Sequence, residues 1–288
     1  MSKLRELISR NELTIAPFVM SAMMARMAKS AGFHAGYMSG GSLGWWKCIT
    51  EANMTLPEMS TLCMDIRAMS DLPLILDAGA GWGDPVHIHR TIAMTQAAGF
   101  SAIEIEDQLM PRRVEHHLGI DHLVPLDFML SRLREALAAR TDDNLMIIAR
   151  TNASRVAGMG VDEAIRRGEA FKKAGADMLF IWSNVAEDLR KIGERLPGPL
   201  MLFLPRDGLK NWELSESDLI GLGYRLGASP GNALAAIVKA VRQSYESLAQ
   251  GERDPMLGFG GAQAEMNAAH EITDLTKLVE IERRTNPM

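Results

Sequence analysis

Acidic side chains stand at the ends of two short apolar segments, where they could bind a metal ion. Asp77 ends the segment LILD, and glycine follows it at every second position, at Gly79, Gly81 and Gly83. Glu106 ends the apolar segment SAIEIE. Two carboxylates without a close base are the minimum for holding a hard cation such as Mg²⁺. Since glycines let a ligand approach the backbone closely, the sequence predicts a metal site beside a glycine-lined turn.

A basic side chain and several small polar groups end two further apolar segments. Arg150 ends LMIIAR, and Tyr37, Ser39, Gly40 and Gly41 lie at the end of AGYMSG and directly after it. A buried arginine near carboxylates is either part of a structural ion pair or a group that binds a ligand carboxylate. At the end of a strand, hydroxyls and exposed backbone N–H groups would add donors for the same ligand. The pattern favours carboxylate binding.

The segment LMPRRVEHHLGIDH is rich in charge and contains Glu115 and His116. One interpretation is a mobile loop that brings positive charge and a general acid or base over an anionic substrate. The other is an ordinary solvated loop. Zinc is not expected here, because adjacent histidines diverge on any regular backbone.

These residues need strands and helices to position them, and the sequence alternates between the two. Eight short apolar segments alternate with amphipathic helical patterns, which favours parallel strands with crossover helices. Eight such units predict an α/β fold, a (β/α)8 TIM-type barrel, whose chemistry lies at the C-terminal ends of the strands. The predicted strands span residues 13–17, 35–40, 72–77, 101–107, 145–150, 177–182, 199–204 and 219–227.

The C-terminal part of the chain has no place in the eight units. We predict a barrel domain over residues 1–251 and a C-terminal helical extension over residues 252–288. The extension has a helical pattern without a strand partner, and its apolar positions need cover. We therefore expect it to be swapped onto a neighbouring subunit of a homo-oligomer.

Composition limits the classes of partner. A net charge of −5 and the absence of a basic stripe predict that nucleic acid is not a partner. No apolar segment approaches the roughly 20 residues that a membrane helix needs. The N-terminal segment MSKLRELISRNELTIAP lacks the apolar core of a signal peptide. We expect a cytoplasmic protein with no membrane partner.

The chain resembles the isocitrate lyase / phosphoenolpyruvate mutase superfamily. The segments that carry the resemblance are APFVMSAMMARMAKSAGFHAGYMSGG, DAGAGWGDP, GFSAIEIEDQLMPRR and IIARTNA, and it covers nearly the whole chain. The resemblance implies a Mg²⁺-dependent barrel, usually a tetramer that exchanges a terminal helix. It also implies making or breaking a C–C or C–P bond next to a carboxylate in small 2-hydroxy or 2-oxo acids, through an enolate.

The resemblance also implies roles for individual residues. It assigns them to the substrate carboxylate, to the metal and to a gating loop. The matching positions are Tyr37, Ser39, Gly40, Gly41 and Arg150 for the carboxylate, Asp77 and Glu106 for the metal, and Arg112, Arg113 and His116 for the loop.

Two departures from the family pattern concern the metal and the general acid. Gly79 stands where members usually have a second Asp, a direct metal ligand. We therefore expect Mg²⁺ to be bound weakly or not at all, because one fewer charged ligand is present. In the loop, Val114 replaces the lyases' cysteine and Glu115 their glycine. The catalytic acid or base is then predicted to be Glu115 or His116.

Further departures make the pocket more apolar. Trp182 falls near a family Glu and Phe203 near a family Asn, and both are predicted to line the substrate pocket. A further acidic position falls at Thr50 or Glu51, depending on the alignment gap. Isocitrate and methylisocitrate are therefore not the expected substrates.

The predicted function is that of a lyase or decarboxylase. It would cleave a C–C bond next to a carboxylate in a small 2-oxo or 2-hydroxy acid with an apolar substituent. The alternatives are a metal-independent hydrolase, or another bond-cleaving enzyme, on the same scaffold. A third is a catalytically lapsed protein that still binds a carboxylate.

Overall fold

Eight parallel strands form a barrel in the computed structural model, which describes residues 2–210 and 212–286. Hydrogen-bonded neighbours follow the order β1-β8-β7-β6-β5-β4-β3-β2. The last gap is bridged by Phe18 and Tyr37, and Val19 N donates to Tyr37 O at 3.0 Å. The strands are β1 (Thr14–Pro17), β2 (Gly36–Met38), β3 (Leu74–Asp77), β4 (Ala102–Glu106), β5 (Met146–Thr151), β6 (Met178–Ile181), β7 (Leu200–Phe203) and β8 (Tyr224–Ser229).

Helices connect the strands, and three short 3-10 helices lie in the loops, at Glu51–Asn53, Val114–Leu118 and Ala153–Arg155. Gly99 and Gly175 end two of the longer helices with φ angles of 88° and 105°, a left-handed conformation that glycine adopts without steric cost. The helices are α1 (Lys3–Ser9), α2 (Ala22–Ser30), α3 (Gly40–Trp46), α4 (Leu56–Met69), α5 (Pro85–Ala98), α6 (Leu126–Ala139), α7 (Gly160–Ala174), α8 (Ala186–Arg195), α9 (Glu216–Gly221), α10 (Asn232–Ala249), α11 (Gly261–Ile272) and α12 (Leu275–Thr285).

The predicted (β/α)8 barrel is confirmed, with one correction to its last strand. Residues 219–227 were expected to form the strand, but the first of them belong to α9. The local reason is a capping box, in which the side chains of Ser215 and Asp218 each bond the other's backbone N–H. This box satisfies free donors at a helix start, so the helix continues to Gly221 and the strand begins only at Tyr224.

The barrel interior is filled by side chains and is closed at one end by α1. Leu4 and Ile8 of α1 pack in the same buried cluster as Ile75, Ile148 and Met178 of the strands. The N-terminal end of the barrel is therefore apolar and plugged. The ends of the strands at the opposite side are where the charged residues lie.

The chain divides into two compact units between Gly231 and Asn232. The first contains the eight strands, and the second contains α10, α11 and α12. In the second unit α11 and α12 contact each other, and Leu234 is the one buried residue of α10. The predicted domain boundary at residue 251 stays a prediction.

Candidate active site

Three neighbouring strands bring the predicted carboxylates and arginine to one end of the barrel. Asp77, Glu106 and Arg150 lie at the C-terminal ends of β3, β4 and β5, where Asp77 is in register with Glu104 and Glu106 with Arg150. Each of these four residues is at most 6% exposed. We call Asp77, Glu104, Glu106 and Arg150 the inner cluster.

Arg150 is held by two carboxylates and an amide. Its Nη1 donates to Glu104 Oε1 at 2.7 Å and its Nε to Asn152 Oδ1 at 2.9 Å, while Glu106 Oε2 lies 3.3 Å from Nε. Burial alone would lower the pKa of Arg150, but the charges of Glu104 and Asp77 raise it above its usual value. Among the described residues Nη2 makes no hydrogen bond, so a donor remains for a ligand.

Glu104 belongs to the site although the sequence-based prediction did not include it. Its Oε2 accepts a hydrogen bond from the Tyr37 hydroxyl at 2.9 Å. Burial, with the charge of Asp77, raises the pKa of Glu104 to about 7, against the opposing effect of Arg150. The signal was present in the sequence, because residues two apart on a strand share a face, and Glu104 therefore accompanies Glu106.

Asp77 accepts hydrogen bonds from two backbone N–H groups, that of Gly79 in the glycine-lined turn and that of Gly40 at the start of α3. Its Oδ1 accepts from Gly79 N at 3.1 Å and its Oδ2 from Gly40 N at 3.3 Å. Ser39 caps α3 by accepting from Ser42 N at 3.3 Å. Burial and the charge of Glu51 raise the pKa of the Asp77 carboxyl. Gly40, which was predicted to bind the substrate carboxylate, is thus in direct contact with Asp77, which was predicted to bind the metal.

A second group of charges covers the inner cluster and comes from two loops. Glu51 Oε1 lies 3.1 Å from Arg112 Nη1, and the same nitrogen donates to Glu106 Oε1. Burial would raise the pKa of Glu51, but Arg112 and His116 outweigh it and lower the pKa to about 2. Glu51, rather than Thr50, therefore provides the acidic side chain that was predicted for this loop.

The two candidate acid–base residues of the loop lie in different surroundings. His116 is 9% exposed; its Nε2 lies 3.3 Å from Glu51 Oε2 and its Nδ1 lies 2.7 Å from Arg113 O. Glu115 is 54% exposed and pairs with His122 at 2.8 Å. The structure brings His116 to the site and leaves Glu115 at the surface.

Aromatic rings line the site on the side of β6 and β7. Phe180 and Phe203 lie 5.0 and 5.2 Å from the guanidinium carbon of Arg150, and Phe203 meets Tyr37 edge to face at 5.9 Å. Trp182 is half-buried and lies under Arg155 at 4.1 Å. Phe203 thus lies beside Arg150, the residue expected to bind the carboxylate, and its role in lining the substrate pocket stays a prediction.

The space left beside the carboxylates is small. A cavity of about 30 Å³ is lined by Glu51, Asp77, Gly79 and Arg112 together with neighbouring residues. This volume admits a water molecule but no organic acid. A substrate would therefore enter only when the loop that carries Arg112 moves aside.

The residues predicted to bind Mg²⁺ do not fit that ion in their present arrangement. Both oxygens of Asp77 accept backbone hydrogen bonds, and those of Glu106 meet Arg112 and Asn152. A divalent cation at these oxygens would stand close to a buried guanidinium, and like charges repel strongly at low dielectric. Within residues 2–210 and 212–286, no group of three or more Asp, Glu, His or Cys side chains is arranged to hold a metal ion.

A second set of charges lies on the other face of β4 and β5. Asp107 Oδ2 accepts from Thr151 Oγ1 at 2.6 Å and from Arg167 Nη1 at 2.9 Å. Arg167, on α7, also binds Val124 O at 3.1 Å and Glu163 at 2.9 Å. We call Asp107, Thr151 and Arg167 the outer cluster. Its contacts join β4, β5 and α7.

Comparisons with known proteins agree with this geometry. The family model for phosphoenolpyruvate phosphomutase matches residues 4–249. A 2,3-dimethylmalate lyase of Eubacterium barkeri is 30% identical over 284 residues, which cover 98% of this chain and 96% of the relative. An oxaloacetate decarboxylase of Chromohalobacter salexigens is 32% identical over 281 residues, with coverage of 96% and 91%. A crystal structure of phosphonopyruvate hydrolase with oxalate and Mg²⁺ matches with a TM-score of 0.85 at 27% identity, covering 99% of both chains.

The family model spans the whole barrel, and both relatives exceed nine-tenths coverage of this chain. The resemblance seen in the sequence is therefore confirmed. The described helices include none long and apolar enough to cross a bilayer. The chain belongs to the phosphoenolpyruvate phosphomutase family.

Proposed function

We propose that this protein is a carbon–carbon lyase that cleaves a bond next to a carboxylate in a small 2-oxo or 2-hydroxy acid. The observation that carries the proposal is Arg150, a buried guanidinium at the strand ends that lies 5.0 and 5.2 Å from the rings of Phe180 and Phe203 and keeps one nitrogen for a ligand. Such a fork is matched to a carboxylate. The relatives named as a lyase and a decarboxylase support the same class of reaction.

Two related reactions are compatible with this site. In a 2-hydroxy acid, a general base takes the hydroxyl proton and a carbonyl forms at C2. The C2–C3 bond breaks, and the electron pair of that bond moves into the carboxylate of the C3 fragment, which is then protonated at C3. In a 2-oxo diacid, CO₂ leaves and the pair forms the enolate of the remaining acid. In both, Arg150 would hold the carboxylate, and Tyr37 and Glu104 would fix the guanidinium. The negative charge that develops would be stabilised by donors already in position.

The aromatic side of the pocket indicates an apolar substituent on the substrate. Aromatic side chains, Trp182 under Arg155 and Phe203 beside Arg150, stand where the family pattern has polar groups. A hydrophobic pocket favours an added methyl by about 1–3 kcal/mol. A methylated malate, as in the name of the lyase relative, combines this substituent with the required carboxylates.

The proton required by the carbanion is assigned to His116. Its Nε2 faces Glu51 inside the site, whereas Glu115 is exposed. General acid catalysis contributes about 10²–10⁴-fold. His116→Gln should therefore lower kcat by about that range, while Glu115→Gln should change it much less. The reverse ranking in steady-state kinetics would return the role to Glu115.

We also propose that the protein is a homotetramer with the C-terminal helices packed on a neighbouring subunit. Leu275, Leu278 and Ile281 of α12 are 38%, 54% and 39% exposed, and Tyr245 and Leu248 of α10 are more exposed still. Apolar surface of this kind needs a partner. Light scattering at micromolar concentration should give four subunits, and a folded monomer would contradict the assembly.

A turnover screen tests the proposed function. Purified protein is incubated with oxaloacetate, malate and its methylated forms, and phosphonopyruvate, with Mg²⁺ or with chelator. Cleavage of a malate to a 2-oxo acid, or release of CO₂ from oxaloacetate, supports the lyase. Release of pyruvate and phosphate from phosphonopyruvate, with no cleavage of the other acids, would favour a hydrolase, and binding without any turnover would favour a lapsed enzyme.

A further inference from the structure

Gly79 makes room for the guanidinium of Arg112. Its φ is +52°, and a Cβ built there would lie 2.8 Å from Arg112 Nη1, closer than such contacts permit. The same Cβ would lie 3.6 Å from Glu51 Oε1 and 3.8 Å from Glu106 Oε1. A side chain at residue 79 would therefore push the end of the Arg112 side chain out of this position, so the place of the guanidinium depends on the glycine.

Arg112 forms ion pairs with two largely buried carboxylates. Glu51 Oε1 and Glu106 Oε1 both meet its Nη1, and the three side chains are 12%, 1% and 6% exposed for Glu51, Glu106 and Arg112. The second oxygen of Glu106 lies 3.3 Å from Arg150 Nε. One carboxylate thus joins two guanidinium groups, and buried negative charge that would otherwise attract a cation is already paired.

Arg112 also retains a donor for a ligand. Its Nε is buried and has no hydrogen-bond partner among the residues that the structure describes. A buried unpaired donor is costly, and an oxyanion beside it would remove this cost. Arg112 is carried by a loop and Arg150 by a strand, and both contact Glu106. The second cation is therefore near the place where Arg150 would hold a ligand.

We propose that the guanidinium of Arg112 supplies the positive charge of this site, and that the protein works without a divalent metal ion. Given the lyase activity proposed above, Arg150 holds the substrate carboxylate and Arg112 stabilises the enolate oxygen. A guanidinium remains charged at all physiological pH values and offers directed donors. The substrate class is a 2-oxo or 2-hydroxy acid whose developing oxyanion lies beside its carboxylate.

The first test measures metal binding, which does not depend on knowing the substrate. Mn²⁺ is titrated calorimetrically into the full-length parent, Arg112→Ala, Gly79→Asp/Arg112→Ala and the control Arg113→Ala. Arg113 is an exposed neighbour on the same loop. Removing Arg112 leaves acids without their cation, and an added acid strengthens a hard-cation site. We expect Mn²⁺ affinity to rise at least tenfold in Arg112→Ala and further in the double variant, with the control equal to the parent.

A parent that binds Mn²⁺ as tightly as Arg112→Ala would overturn the inference. Circular dichroism verifies that each variant is folded. If Arg112→Ala does not fold, two variants replace it. Gly79→Asp/Arg112→Ala restores an acid that can bind the metal, and Arg112→Lys keeps the positive charge. The lysine variant should bind no more Mn²⁺ than the parent.

The second test uses turnover of whichever acid the screen identifies. The parent should keep its rate in excess chelator, and Arg112→Ala should lose about 100-fold or more in kcat, as when one oxyanion donor is removed. Methylguanidine added to Arg112→Ala should restore part of the rate, which a purely structural role would not allow. A parent that stops in chelator would contradict metal independence while leaving the lyase intact. If no acid is turned over, the lyase proposal fails. The Mn²⁺ titration still decides whether Arg112 or a divalent metal ion supplies the positive charge of the site.

Discussion

The inner and outer clusters lie on opposite faces of the same two strands and contain the same kinds of residue. The outer cluster takes its arginine, Arg167, from the middle of a helix and uses it to join that helix to Asp107 and Thr151. The inner cluster takes its arginine, Arg150, from a strand end, and the neighbouring Arg112 comes from a loop. A buried carboxylate–arginine pair is therefore no sign of function by itself. What distinguishes the inner pair is its place at the open end of the barrel.

The largest expected effect is on stability, and it should follow loss of the outer arginine. Arg167→Ala leaves the Asp107 carboxylate buried without its cation, which costs about 3–5 kcal/mol in the free energy of unfolding. Urea denaturation measures this loss. kcat/KM should stay close to that of the parent, and a loss of activity with unchanged stability would mean that the outer cluster is functional.

The matching change in the inner cluster should act on activity. Arg150→Ala removes the carboxylate-binding fork, and the loss of a charge-assisted pair in a dry site costs about 2–5 kcal/mol of binding. Steady-state kinetics should show this loss in kcat/KM, with the far-ultraviolet circular dichroism retained. Arg150→Lys serves as the control, because it keeps the positive charge without the two-pronged guanidinium. Its kcat/KM should lie between those of the parent and Arg150→Ala. Activity equal to the parent's would remove Arg150 from the site.

A smaller effect is expected from Glu104 and depends on pH. Burial raises its pKa to about 7 in the folded protein, above the value of about 4.3 in an unfolded chain. The folded state then binds the proton more tightly, so this group's contribution to stability falls as pH rises from about 4.3 to 7. Glu104→Gln should remove that part of the dependence of stability on pH, whose slope is at most about 1.4 kcal/mol per pH unit for one proton. If the free energy of unfolding changes with pH equally steeply in the parent and in Glu104→Gln, this explanation of the raised pKa is contradicted.

The sequence predicted the barrel, and it predicted that several charged side chains share one end of the barrel, because both depend on local patterns. Apolar segments ending in Asp77, Glu106 and Arg150 suffice to place these groups at one end of neighbouring strands. The start of the eighth strand was wrong, since the capping box at Ser215 prevails over an apolar run. Glu104 could have been identified from the alternation of residues along β4.

The contact between Arg112 and Gly79 could not be predicted in the same way. The two residues lie on different loops, and their proximity depends on the rotamer of a long side chain. The exposure of Glu115 could not be predicted from the sequence either, because a 3-10 helix at Val114–Leu118 directs neighbouring side chains to different sides. Sequence spacing gives the loop, and the packed structure decides which of its side chains reaches the site.

The most direct measurement is a crystal structure of the protein with oxalate, the ligand bound to phosphonopyruvate hydrolase in the matching structure. We expect one oxalate carboxylate within about 3 Å of the Arg150 guanidinium, on the inner face of the barrel and beside Phe203. Oxalate bound elsewhere, or a site that stays empty at saturating oxalate while Arg150 keeps its contacts with Glu104 and Asn152, would contradict the assignment of the inner cluster as the substrate site.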